Sequence, residues 1–293
     1  MLIEADFKCA EVPDPIEYAA LRPRDAGDAL PLLLLLHGRG GSREYLLRVA
    51  PTLERAWFDG TLPPLLAVTP TVYEYSLYMN LRDGSERWED ALSGPFLQHL
   101  RDAHGVSRER RLTMICGLSM GGSGGLRLAF KHPDVFGAVA ALEPGVQPAL
   151  DWSDIDPRTL FWRSLESLHR VLGSPVDGAY WRANNPASIA HDQPERLRSA
   201  DLAIYLECGD EDSFGLHYGA EFLHRVLFDN DIRHEYRLVR GADHVGATLP
   251  ARFQDALAFL ARVIDPPPPD PTLAPFHEHI AKMKRAAGFT SRA

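Results

Sequence analysis

Apolar runs of strand length recur along the chain, separated by intervals long enough for helices. The clearest runs are Leu32–Leu36, Leu65–Thr69, Leu112–Cys116, Ala138–Leu142, Leu202–Cys208 and Glu235–Val239. A run that is apolar at every position, as Leu32–Leu36 is, predicts a strand covered on both faces. Residues 2–9 and 16–22 are weaker candidates that suit an antiparallel edge. Between the runs, Tyr45–Asp59 and Trp88–His104 predict helices; in the second, Trp88, Leu92, Phe96, Leu97 and Leu100 share one face. Gly215–Phe228 repeats the helical spacing through Leu216, Ala220, Leu223 and Leu227. Ala251–Ile264 does so through Phe253, Ala256, Phe259, Leu260 and Val263. The alternation predicts an α/β fold, a mainly parallel central sheet with helices on both faces. No internal repeat is visible.

Residues 1–265 read as a single domain with two irregular parts of the chain to account for. Residues 144–200 form a long insertion between two predicted core strands, containing Trp152, Trp162 and Trp181. Insertions after strand ends carry substrate-facing structure in such folds; a small satellite core built on the tryptophans is the plainer alternative. Residues 266–293 open with Pro266-Pro267-Pro268-Pro269-Asp270-Pro271, a stiff linker. A short helix over Pro275–Gly288, with Lys282, Lys284 and Arg285, is expected to follow. It can dock on the body, dock on a second copy of the chain, or lie in solvent.

Composition narrows the class. At 293 residues the chain can bury one large core. A formal net charge of -9 with no basic cluster disfavours nucleic acid and anionic membrane as partners. Cys9, Cys116 and Cys208 cannot build a disulfide framework, and two of them lie in apolar runs as small buried hydrophobes. The amino-terminal residues lack the pattern of a signal peptide, and no apolar run approaches the ~18 residues of a membrane helix. A soluble cytoplasmic protein is the expectation.

Chemistry concentrates at Gly117-Leu118-Ser119-Met120-Gly121-Gly122, between the run ending at Cys116 and a helix-like segment over Ser123–Lys131. A Gly-x-Ser-x-Gly placed so is the nucleophile elbow of an α/β-hydrolase. Small residues flank the serine because strand and helix backbones nearly touch, and the turn holds Oγ clear of both. Such a serine needs a base, a group to orient the base, and donors for the oxyanion. The chain order of these folds puts the acid next, and the strand ending near Glu207 leads to Asp210, Glu211 and Asp212. Asp212 is favoured because a loop residue just past Gly209 can turn back over the sheet edge; Asp210 stays open as the alternative. The base is His244, in a loop of small residues between the last strand and the last long helix. Asp243 beside it reads as a cap or loop residue, and His99, His169 and His224 as helix-surface or packing residues. The oxyanion donors are the main-chain N–H of Met120 and that of Arg39 or Gly40, in the glycine-rich loop after Leu36. His37 reads as a brace for that loop. No His-x-x-x-His or paired His/Asp cluster of ligand spacing suggests a metal.

With these residues in view, the chain resembles the esterase D/feruloyl esterase-like family of α/β-hydrolases. The likeness runs from about Leu30 to Ile264. It rests on His37-Gly38-x-Gly40-Gly41, on Gly117–Gly122, on Phe130-Lys131-His132-Pro133-Asp134-x-Phe136-Gly137, on Gly209-x-x-Asp212 and on His244. It implies carboxylic ester hydrolysis by Ser119, Asp212 and His244, without a cofactor, on a small-molecule ester. Two departures stand out: Ser123-Gly124-Gly125 where relatives are bulkier, and Glu143-Pro144 where they carry a neutral Ser-Pro. A Glu143 carboxylate facing the pocket would disfavour anionic substrates. His37, Glu143, Tyr78 and Trp181 are the candidate pocket residues, with Tyr73, Tyr75 and Trp88 as further aromatic wall or plain packing. Thioester hydrolysis and acyl transfer would use the same triad. A non-catalytic binding protein of this fold would ordinarily have lost one of the three residues, and here all three are filled.

Overall fold

The computed structural model describes residues 1–288. Among them lie the strands β1 (Leu2–Phe7), β2 (Ile16–Leu21), β3 (Leu32–Leu36), β4 (Leu66–Pro70), β5 (Thr113–Leu118), β6 (Ala138–Leu142), β7 (Ala203–Gly209) and β8 (Glu235–Val239). They form one sheet in the order β1-β2-β4-β3-β5-β6-β7-β8. The first two strands make the antiparallel edge that their weaker patterning suggested, β1 pairing with β2 and β2 with β4. Every other pairing is parallel.

The helices are α1 (Tyr45–Phe58), α2 (Trp88–Ser93), α3 (Pro95–His104), α4 (Met120–Lys131), α5 (Leu165–Leu172), α6 (Gly178–Asn184), α7 (Pro186–Asp192), α8 (Pro194–Ala200), α9 (Leu216–Asp229), α10 (Leu249–Ile264) and α11 (Ala274–Ala286). All five leucines of β3 are fully buried because alternate residues enter two cores. Leu32, Leu34 and Leu36 meet Ile115, Val139 and the helices α2, α3, α4, α7 and α9. Leu33 and Leu35 meet Met114, Ala140, Tyr205 and the helices α1 and α10 on the other face. Each such side chain contributes about 1.5–3 kcal/mol of burial, which holds the sheet at the centre and its strand ends in fixed register.

The single helix expected over Trp88–His104 is two helices. Pro95 has no N–H to bond back to Ala91, and its ring would strike that residue's carbonyl. The chain therefore breaks at Gly94 (φ -116°, ψ -102°), and Pro95 starts α3. Both halves still bury the shared apolar face. The insertion between β6 and β7 holds α5 to α8. It supports a third core, in which Trp181 and Leu168 pack with Met79 and Leu81 from the β4–α2 connection. Helix α11 has no buried residue, and positions 289–293 of the tail lie outside the described residues. No helix among the described residues is long and apolar enough to cross a membrane.

Candidate active site

β5 stops at Leu118 and α4 begins at Met120, so Ser119 alone makes the turn, at φ 58° and ψ -115°. A non-glycine residue held there stores about 1–3 kcal/mol of strain, which its neighbours must enforce. Ser119 N–H donates to the Leu142 carbonyl at 2.9 Å, and the Ser119 carbonyl accepts from Ser123 N–H at 3.0 Å. The flanking glycines are demanded by contact. A Cβ on Gly117 would lie 2.1 Å from the Gly121 carbonyl oxygen, and one on Gly121 2.0 Å from that of Leu36. Helix α4 thus accepts a glycine-rich first half, costing about 1 kcal/mol per residue against alanine, to sit directly on the sheet.

Two loops at the same edge bring up the partners. His244 Nε2 lies 3.0 Å from Ser119 Oγ, and its Nδ1 lies 2.7 Å from Asp212 Oδ2. The second Asp212 oxygen accepts from the N–H groups of Phe214 (2.8 Å) and Leu216 (3.0 Å). Burial works against the charge on Asp212. The His244 bond, the Leu216 amide and Glu143 overcome it and carry the pKa down to about 2. Asp210, the sequence alternative, is used elsewhere and accepts from Gly241 N–H at 2.6 Å. Asp243 accepts from Ser213 N–H and Oγ, each at 2.7 Å, tying the acid loop to the histidine loop. Gly209 makes that meeting possible, since a Cβ there would lie 2.1 Å from the Ala242 carbonyl oxygen.

Glu143 does not face the pocket. It is fully buried behind the triad acid, where it accepts from Gly209 N–H (2.9 Å), Cys208 Sγ (2.7 Å) and the Arg252 guanidinium. Arg252 also donates to Glu207 at 2.9 Å and to the Asp243 carbonyl at 2.9 Å, so one side chain of α10 braces both loops. Burial raises the Glu143 pKa, with the Cys208 and Arg252 bonds opposing it, while that of Asp212 falls. Donor atoms of Glu143, Cys208 and Asp212 lie within 4.8 Å of one another, close enough for a metal ion. Arg252 already supplies the countercharge there, and N–H and S–H donors occupy the Glu143 oxygens. Sequence reasoning missed Arg252. Its spacing to Ala256 and Phe259 places it on the buried stripe of α10, a signal that was available.

The pocket over Ser119 has a volume of about 560 Å³ and is lined by the loop His37–Gly41, Met120 and the insertion residues Trp162 and Arg163, among others. Arg39, Gly40 and Met120 thus stand beside the nucleophile. His37 is buried against the loop; it accepts from Val72 N–H at 3.4 Å through Nε2, which leaves Nδ1–H to donate to the Gly38 carbonyl at 2.8 Å. Burial lowers its pKa, with the Gly38 carbonyl partly opposing. Tyr78 lies behind that loop, fully buried, its hydroxyl donating to the His37 carbonyl at 2.9 Å. Trp181 packs on Trp152 in the third core, away from the pocket over Ser119. The insertion tryptophan at this pocket is Trp162, stacked edge-on to Phe214, which is in turn edge-on to His244.

Fold and geometry together define an α/β-hydrolase carrying a serine–histidine–aspartate constellation. The family described as "Putative esterase" matches residues 10–258, and the chain belongs to that family. Similar solved structures include a ferulic acid esterase, 20% identical over 90% of this chain and 98% of its own, with a TM-score of 0.73. An S-formylglutathione hydrolase from Agrobacterium tumefaciens is 20% identical over 89% and 95%, with a TM-score of 0.72. A fluorophosphonate-binding serine hydrolase of Staphylococcus aureus is 17% identical over 89% and 98%, with a TM-score of 0.70. At these identities the likeness speaks for the fold. No curated protein matches the sequence.

Proposed function

We propose that the protein hydrolyses small carboxylic esters in two acyl-transfer steps, with Ser119 as nucleophile, His244 as base and acid, and Asp212 as its orienting carboxylate. The observation that carries this is the unbroken chain Ser119 Oγ, His244 Nε2, His244 Nδ1, Asp212 Oδ2 at 3.0 and 2.7 Å. Oγ attacks the ester carbonyl carbon as Nε2 takes its proton. The new oxyanion lies between the main-chain N–H of Met120, at the start of α4, and that of Arg39 or Gly40. Collapse breaks the bond to the alcohol, which leaves with the proton from His244. Water then gives a proton to His244 and adds to the acyl carbon, and the acid departs as Oγ regains its proton.

Ser119→Ala tests the reading on a panel of aryl, alkyl, feruloyl and thioester substrates. Turnover is expected to fall by at least ~10³-fold with the fold retained by circular dichroism. A variant that keeps wild-type turnover would remove the serine from the mechanism.

A further inference from the structure

Among the described residues, three arginines, Arg39, Arg48 and Arg163, line the pocket over Ser119 against a single carboxylate, Glu74. Glu74 is exposed, and its charge raises the pKa of the neighbouring Tyr75. Arg39 is exposed and donates to the Trp162 carbonyl at 3.0 Å. Arg163 differs from both other arginines. Its side chain is partly buried, with its guanidinium over the Trp162 ring at 4.3 Å. Its hydrogen bond is a long one, from Nη2 to the Gly145 carbonyl at 3.3 Å. Its Nε is sealed from solvent with no acceptor, as is Nε1 of Trp162. Among the described residues no carboxylate pairs with it. Gly145 N–H donates at 3.3 Å to the carbonyl of Ser119, so this cation stands one peptide from the nucleophile.

The same molecule shows what a structural arginine looks like. Arg252 meets two carboxylates and a carbonyl, and the buried Arg127 donates to the carbonyls of Asn184 (2.5 Å) and Leu77. A desolvated charge without such partners is costly, and burial, Arg127 and Arg39 together lower the pKa of Arg163 to about 9, which leaves it charged at neutral pH. An arriving anion would relieve all three effects. Resting on the esterase reading above, we infer that Arg163 receives an anionic group on the substrate, so that the pocket selects esters carrying a negative charge such as a carboxylate. Among the described residues Nη1 makes no hydrogen bond and Nη2 only the long one to Gly145, so the end of the planar guanidinium can meet two carboxylate oxygens.

The test compares charged esters with neutral amide isosteres, one pair for each side of the scissile bond. For the acyl side these are the 4-nitrophenyl monoester of glutaric acid and that of its monoamide. For the alcohol side they are 4-acetoxybenzoate and 4-acetoxybenzamide. In at least one pair the charged member is expected to lead in kcat/KM by ~10-fold or more, as charge-assisted hydrogen bonds allow. Arg163→Gln is expected to reduce that ratio by ~10-fold or more and Arg163→Lys to keep part of it. The double ratio between enzymes cancels intrinsic ester reactivity. Neutral members preferred in both pairs by the wild type, or an unchanged ratio in Arg163→Gln, would overturn the inference. If Arg163→Gln does not fold, the double ratio is taken against Arg163→Lys, and an unchanged ratio there overturns the inference equally. Failure of the esterase reading looks different: no ester is turned over, or Ser119→Ala turns them over as well as wild type.

Discussion

Asp210 and Asp212 sit in one short loop, yet only one of them meets the imidazole. Asp212→Asn is expected to lower kcat by about 10⁴-fold, because the amide would present the wrong hydrogen-bonding face to His244 Nδ1. Asp210→Asn keeps an acceptor for Gly241 N–H and is expected to cost no more than ~10-fold. Steady-state kinetics on one aryl ester checks both, and a crippled Asp210→Asn would reverse the assignment. The choice was half legible in the sequence. The elbow, the histidine loop and the acidic strand end announce themselves by residue type and order. What separates the two aspartates is the partner of Asp210, on another loop. The role of Glu143 was hidden for the same reason, since its partners Cys208, Gly209 and Arg252 are remote in sequence. Arg252→Met would leave two buried carboxylates without their cation, and about 3–5 kcal/mol of stability should be lost, measured as a shift in the urea midpoint.

At the scale of elements, α4 opposes its own propensity. Replacing Gly124 by alanine would stabilise an isolated helix by about 1 kcal/mol. Here the new Cβ would lie 2.6 Å from Cδ2 of the fully buried Tyr78. Tyr78 in turn holds the carbonyl of His37, at the root of the loop that lines the pocket. Gly124→Ala is therefore expected to lower Tm and kcat together, and a variant more stable than wild type would show that Tyr78 is free to move. The unusual Ser123-Gly124-Gly125 thus has a steric cause, invisible without Tyr78 in place. Strands were easier to read than helices. A run such as Leu32–Leu36, at strand length and bounded by Pro31 and Gly38, fits a strand buried on both sides. The broken helix at Gly94 shows the converse: the apolar face of Trp88–Leu100 persists across a break set by Pro95, so periodicity alone overran it. In the insertion, Trp162 and Trp181 are equivalent by composition, and only the packing sends one to the pocket and the other to the third core.

Across the whole molecule, two buried carboxyls pull stability in opposite directions along the pH axis. Asp212 titrates at about 2 in the folded protein, below its ordinary 3.8. Its contribution is present above the unfolded value and is lost as pH falls toward 2. Glu207 goes the other way. Burial, reinforced by the charge of Glu143 and opposed by Arg252, pushes it up to about 7 from 4.5. Below pH 4.5 both folded and unfolded chains hold that proton. Between 4.5 and 7 the unfolded chain releases it first, so stability falls as pH rises, by of the order of ~3 kcal/mol over the window. Above 7 the effect is flat. Burial dominates because one guanidinium is shared between Glu207 and Glu143, both without solvent, and offsets it only in part. Urea unfolding at pH 5 and pH 8 should show the wild type losing stability with rising pH, and Glu207→Gln, which cannot ionise, losing markedly less. Equal losses in the two proteins would mean that Glu207 is already ionised at pH 5, and that Arg252 carries both carboxylates as a closed triad.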